Sequence, residues 1–260
     1  MQTKVLTLKL VVFLATMNAI SVLAQNAQHH PPNSSSRATE TTIEQMPAKL
    51  ETQFALSALP PAMRDPTTVY VLDPNKGYQL SRQGTNGVTC LVERTAWEQA
   101  NFRNDIYVPL CYDAKGSKTF LKVIMEVAEL RIQGMTPDAL KAEIENRYKN
   151  KSYHVPDKPG LSYMIAPVMR TWMMPDWQVH TMPMPHLMFY APNMKNEDIG
   201  ALPNSNVLYP FIFKEGIAEQ SYMIQLIGAS EKTRIPADEK PLLHDLCAFR
   251  DVLCLANKEQ

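Results

Sequence analysis

Five soft or titratable donors stand at alternate positions in this chain: His180, Met182, Met184, His186 and Met188, with Pro183 and Pro185 among them. Proline disfavours helical angles in the residue before it, so Met182 and Met184 are expected to be extended. On a β-strand all five side chains would share one face. Thioether and imidazole together suit Cu(I), which makes copper the one cofactor this pattern raises. Spacing limits that reading, because alternate strand residues lie about 6.6 Å apart and one ion would collect about two of the donors His180, Met182, Met184 and His186. In a polyproline II segment even the shared face is lost. Methionine also fills irregular cores, so packing is the leading reading of the pattern and no cofactor is expected.

The surrounding stretch is unusual as a whole. Between Met164 and Met194 lie eight of the fifteen methionines, five prolines and two of the three tryptophans. Trp172 and Trp177, with Met173 and Met174 between them, have the composition of a lid over a ligand pocket, and equally of a core rim. Tyr163, His186 and Tyr190 complete the set of candidate binding residues. For catalysis the candidates are His186, Asp176 and His180, with His154 in reserve, as a general acid-base group if the fold gathers them. No nucleophile elbow, zinc-protease helix motif, phosphate-binding glycine loop or paired-cysteine motif is present.

The elements that must position these residues follow from local pattern. Lys4 and Lys9, the apolar run Leu10 to Leu23, and small or short residues at Val22 and Ala24 form a secretory signal with cleavage expected before Gln25. Residues 25–47 are polar and rich in proline and serine and are expected to be a disordered tether, leaving 48–260 as one domain. The full chain balances 26 basic against 26 acidic residues, and loss of Lys4 and Lys9 leaves it near neutral. No basic excess speaks for nucleic acid, and no span remains once the signal is removed.

Within the domain, Leu50, Phe54 and Ala58 mark an amphipathic helix over 48–59, stopped by Pro60 and Pro61. The segments 69–72, 78–81 and 88–92 alternate as strands separated by turn residues, and predict a three-stranded antiparallel meander with Asn86-Gly87 in a tight hairpin. A short helix is expected over 96–102. Helices over 117–132 and from Pro137, with Leu140, Ile144 and Tyr148 inward, predict a helical hairpin. Later strands are expected at 161–166, 186–191, 207–213 and 222–227, and a final helix over 238–256. The fold class is therefore α+β, with a mostly antiparallel sheet, a helical hairpin and a C-terminal helix.

Four cysteines are too few for a disulfide scaffold, but oxidation is expected after export. Cys90 and Cys111 lie on segments that a loop brings together, which makes them the first choice of pair. Cys247 and Cys254 would stand about 10 Å apart on an unbroken helix, so they pair with each other only if that helix breaks.

Five blocks carry a wider resemblance: Gly84-Thr85-Asn86-Gly87-Val88-Thr89-Cys90, Pro109 to Gly116, Gly160 to Met164, Pro185 to Pro192, and Asn196 to Gly200. In this order they resemble a family of uncharacterised secreted bacterial proteins with no assigned activity. The resemblance implies export, to the periplasm or the extracellular medium, and a shared fold. It also favours the Cys90 to Cys111 pairing, since both lie inside blocks. The resulting expectation is a non-catalytic exported domain that binds a small molecule or an envelope protein. The alternatives are an envelope enzyme using His186 with a carboxylate, and a Cu(I)-binding protein.

Overall fold

A computed structural model describes residues 43–94, 104–173, 178–201 and 210–255. The expected signal peptide, most of the tether, the helix expected over 96–102, Asp176 and Trp177 lie outside the described residues. Residues 43–47, assigned by composition to the tether, are packed instead: Ile43 and Met46 are buried against the domain.

The chain enters α1 (Ala48–Leu56), passes the single turn α2 (Pro61–Arg64), and lays down β1 (Thr68–Asp73), β2 (Gly77–Arg82), β3 (Thr89–Glu93) and β4 (Val108–Tyr112). Three helices follow, α3 (Ala114–Lys118), α4 (Phe120–Ile132) and α5 (Pro137–Lys149). Then come β5 (Leu161–Met164), β6 (Met169–Met173), β7 (Gln178–Met182), β8 (His186–Tyr190), β9 (Phe211–Phe213) and β10 (Tyr222–Leu226), and finally α6 (Ala229–Asp238) and α7 (Lys240–Phe249). Among the described residues, eight strands form one sheet in the order β2-β1-β3-β4-β5-β8-β10-β9, and β6 and β7 form a separate hairpin. The α+β class and the antiparallel bias hold, since β1 with β3 is the one parallel pair in that sheet.

That parallel pair corrects the expected meander. β2 folds back on one side of β1, but β3 then pairs with β1 on its other side. The crossing is made by the loop 83–88, which wraps the backbone just before β1. Thr85 and Asn86 both donate their N–H groups to the Pro66 carbonyl, at 2.7 and 3.1 Å. Gly84 is required at the crossing, because a Cβ there would lie 2.3 Å from the Pro66 oxygen. A turn-forming sequence thus became a crossover through a close backbone approach that pattern alone does not reveal.

Each face of the sheet buries its own core. Phe120, Leu121 and Ile124 of α4 and Leu140 and Ile144 of α5 pack on one face against Leu91, Leu110, Tyr112, Met188 and Tyr222. Phe54 and Ala55 of α1, with Leu242 and Leu246 of α7, pack on the other against Val69, Cys90, Val92 and Cys111. Burying one such large apolar side chain is worth roughly 2 kcal/mol. Pro137 at the start of α5 and Thr136 capping it produce the expected helical hairpin with α4.

Cys90 and Cys111 are bonded and lie directly opposite each other on β3 and β4, with Cα atoms 4.0 Å apart. The expected final helix over 238–256 is corrected. Within it, α-helix covers Lys240–Phe249 as α7, with Pro241 in the first turn, where a missing N–H costs nothing, while α6 is a separate helix that ends at Asp238. After Phe249 the chain becomes extended at Arg250 (φ −153°) and forms one 3-10 turn over Asp251–Leu253. That break brings Cys247 and Cys254 to a Cα separation of 4.5 Å and bonds them.

Candidate functional site

The five alternate donors do not form one strand. His180 and Met182 belong to the separate β6–β7 hairpin, Met184 lies in the link, and His186 and Met188 belong to β8 of the main sheet. The change of sheet at Pro183 and Pro185 removes the shared face on which joint metal binding depended. His180 is exposed, whereas His186 is buried. Among the described residues, no group of three or more histidine, cysteine or acidic side chains is placed to hold a metal ion.

His186 sits on the core face of β8 with Met188 and Tyr190. Its Nδ1 lies 2.7 Å from the Met184 carbonyl, so that nitrogen carries the proton and donates it. Burial lowers its pKa to about 4, against a weaker upward pull from the same carbonyl. At neutral pH the ring is an uncharged structural donor. Tyr163 and Tyr190 fall on opposite faces of the sheet, because Ser162 is paired with Met188 and the alternation places Tyr163 with Leu187. Trp172 on β6 is half-buried against the α4–α5 core.

Tyr190 belongs to a polar junction centred on the Asp113 carboxylate. The Asp113 carboxylate caps α3 by accepting from the N–H groups of Lys115 and Gly116, at 3.0 and 2.9 Å. Its Oδ1 also accepts from the Tyr190 hydroxyl at 2.9 Å, and its Oδ2 from the Leu161 N–H at 2.9 Å. Burial and the neighbouring Asp113 charge push the Tyr190 pKa up, so the phenol stays a donor. Gly116 and Gly160 leave the space: a Cβ on either would lie within 2.6 Å of the Tyr190 side chain. Cys111, Asp113, Gly160, Leu161 and Tyr190, drawn from three of the sequence blocks, therefore meet at or beside one knot. A strand followed by Asp-Ala-Lys-Gly is an N-cap signature, and it was the available signal.

Behind Tyr190 the aromatic rings continue. Phe120 makes edge contacts with Tyr190 and Tyr222, at centroid distances of 5.6 and 5.2 Å. Tyr112 and Tyr222 share a hydrogen bond of 2.6 Å, and the Tyr222 hydroxyl donates to Gln220 Oε1. The proton in the first bond is therefore Tyr112's. Burial holds the Tyr222 pKa well above its ordinary value, which keeps the donor chain running from Tyr112 through Tyr222 to Gln220. Gln220 completes its own set by donating Nε2 to the Phe120 carbonyl at 3.1 Å.

Gln220 is also the floor of a cleft of about 430 Å³. Val123 of α4 and Ile144, Glu145, Tyr148 and Lys149 of α5 form one wall, and Lys214, Ile217 and Glu219 form the other. The size falls within the range of small-molecule sites. Each wall brings one carboxylate and one ammonium around an apolar middle. The second wall is a tight turn in which Lys214 and Gln220, both non-glycine, adopt left-handed φ values of 55° and 53°, with Gly216 at 75° between them. Such positions cost roughly 1–3 kcal/mol each and persist where surrounding structure enforces them. At Gln220 the side chain is held by the Phe120 carbonyl and the Tyr222 hydroxyl. Ile217, at the tip, is 43% exposed, one of two large apolar side chains so exposed among the described residues. No pattern in the sequence marks this turn, because its strain is visible only as dihedral angles.

No protein-family model, curated protein or solved structure matches this chain. No helix among the described residues is long and apolar enough to cross a membrane.

Proposed function

We propose that this is an exported, non-catalytic binding domain that takes a small amphiphilic zwitterion in the cleft between α4–α5 and the 214–220 turn. The observation that carries the reading is the strained turn itself: two left-handed non-glycine residues hold the exposed Ile217 and the buried Gln220 against an apolar wall. An apolar middle suits a hydrocarbon body, and one acid and one base on each wall suit a ligand of zero net charge. Two buried or half-buried disulfides accord with an oxidising compartment. The neutral His186, bonded to a backbone carbonyl, supports a binding role over acid-base catalysis.

The test is native mass spectrometry of the protein purified from its own compartment, followed by calorimetry of the released compound. A small zwitterionic adduct is expected on the wild type, with at least tenfold weaker binding by Ile217→Arg, a substitution at an exposed position that leaves folding intact. Bare protein in every preparation, or equal binding by Ile217→Arg, overturns the proposal.

A further inference from the structure

The two disulfides differ in what a reductant can reach. Cys90 and Cys111 are both 0% exposed, inside the sheet, beneath α1. Cys247 and Cys254 are half-buried at the surface, and they close the short hook that follows α7. Contacts at three points tie that hook to other described residues. Leu253 is fully buried in the α1–α7 core. The Val252 carbonyl accepts from the Thr181 hydroxyl of β7. Arg250 donates Nη1 to the Tyr107 hydroxyl at 2.7 Å and pairs with the Glu44 carboxylate at 3.6 Å. Glu44 belongs to the packed N-terminal strap 43–47, whose Glu44 carbonyl is also held by Arg94 at 2.8 Å. One small disulfide loop thus sets the position of the side chain and carbonyl that reach the strap and the β6–β7 hairpin.

We propose that the Cys247–Cys254 bond is a reducible fastener: opening it by a dithiol releases the C-terminal hook, and with it the strap and the hairpin, while Cys90–Cys111 stays closed. In the reaction a thiolate of the dithiol attacks one sulfur, the Cys247–Cys254 bond breaks, and the second thiol of the reagent displaces the mixed disulfide. The protein gains two electrons and two protons as two thiols, and the dithiol leaves as its own disulfide. Without the bond, α7 and the hook are no longer held at a Cα separation of 4.5 Å, and Arg250 loses the backbone geometry that aims it at Tyr107 and Glu44.

The test uses the intact mature protein under graded dithiothreitol without denaturant, with thiol alkylation and hydrogen exchange read together by mass spectrometry. Alkylation is expected first at Cys247 and Cys254. At the same reductant concentration, exchange over 43–47 and 178–182 should rise at least tenfold, while β3 and β4 remain protected. Arg250→Gln, with the disulfide intact, should loosen 43–47 and leave 178–182 unchanged, since Thr181 is held by the Val252 carbonyl. The proposal is overturned if both disulfides open together, or if Cys247 and Cys254 are alkylated with no change in exchange at the strap and the hairpin.

Discussion

Asp113 accepts four hydrogen bonds, from two N–H groups of α3, one of β5 and the Tyr190 hydroxyl. Glu51 is fully buried and accepts one, from the Leu72 N–H at 2.9 Å. Its other oxygen faces Arg94 Nη1 at 4.0 Å, and Glu51 Oε2, Arg94 Nε and Arg94 Nη1 have no hydrogen-bond partner among the described residues. Both carboxylates join distant segments, yet only the first has exchanged water for a complete set of protein donors. At the second, burial outweighs the Arg94 charge and raises the Glu51 pKa to about 7. Arg94 still gains a 4.4 Å stack on the Tyr107 ring and the bond to the strap. A polar group at a junction therefore stabilises in proportion to how fully it is satisfied, with burial alone working against it.

The sharpest way to break this comparison is Asp113→Ala. It leaves three N–H groups without their acceptor and the Tyr190 phenol with the Leu161 carbonyl alone at 3.1 Å, and the expected loss is about 4 kcal/mol in urea denaturation. A loss below about 1 kcal/mol would show the knot to be dispensable.

Next in size is the pH dependence at Glu51. A carboxyl raised from 4.5 to about 7 is protonated in the folded state where the unfolded chain is ionised. Its contribution is fully present below pH 4.5 and is lost as pH rises through 7, a swing of about 3 kcal/mol at most. Glu51→Gln should remove that slope, as measured by denaturation midpoints from pH 4 to 8.

His186 acts in the opposite sense and at similar size. Lowered from 6.5 to about 4, it contributes stability that is present above pH 6.5 and lost as pH falls through 4. Between pH 4.5 and 6.5 the two slopes oppose each other in the wild type. Glu51→Gln should therefore unmask an acid-side loss, and His186→Asn, which keeps a donor for the Met184 carbonyl, an alkaline-side loss. If both variants keep the wild-type profile, neither burial governs titration.

The smallest effect is expected for Glu51→Leu with Arg94→Met. Replacing an incompletely bonded buried pair by apolar groups of similar volume is expected to change stability by no more than about 1 kcal/mol at pH 7. Applied to Asp113, the same exchange costs more, because three backbone N–H groups lose their acceptor there against the single Leu72 N–H at Glu51.

Reading from sequence reached the elements wherever side-chain periodicity and a local stop signal agreed. The α4–α5 hairpin followed from Leu140, Ile144 and Thr136-Pro137, and the strands at Leu161 and His186 followed from alternation and flanking proline. It did not reach the β1–β3 crossover, where Gly84 meets a backbone eighteen residues earlier in the chain. Nor did it gather the candidate site. Tyr190 and Trp172 pack against the core, His186 bonds the Met184 carbonyl, and Gln220, the floor of the cleft, carried no pattern at all.

The amino-acid sequence alone therefore determined the α+β class, the helical hairpin and the easy pairing of Cys90 with Cys111, since each rests on interactions within a few residues or on one loop. Tertiary structure decided the sheet order, the break that closes Cys247 on Cys254, and the assembly of Asp113, Tyr190 and Gln220. Those depend on which backbone groups remain unpaired once the core has closed, and only the folded chain specifies that.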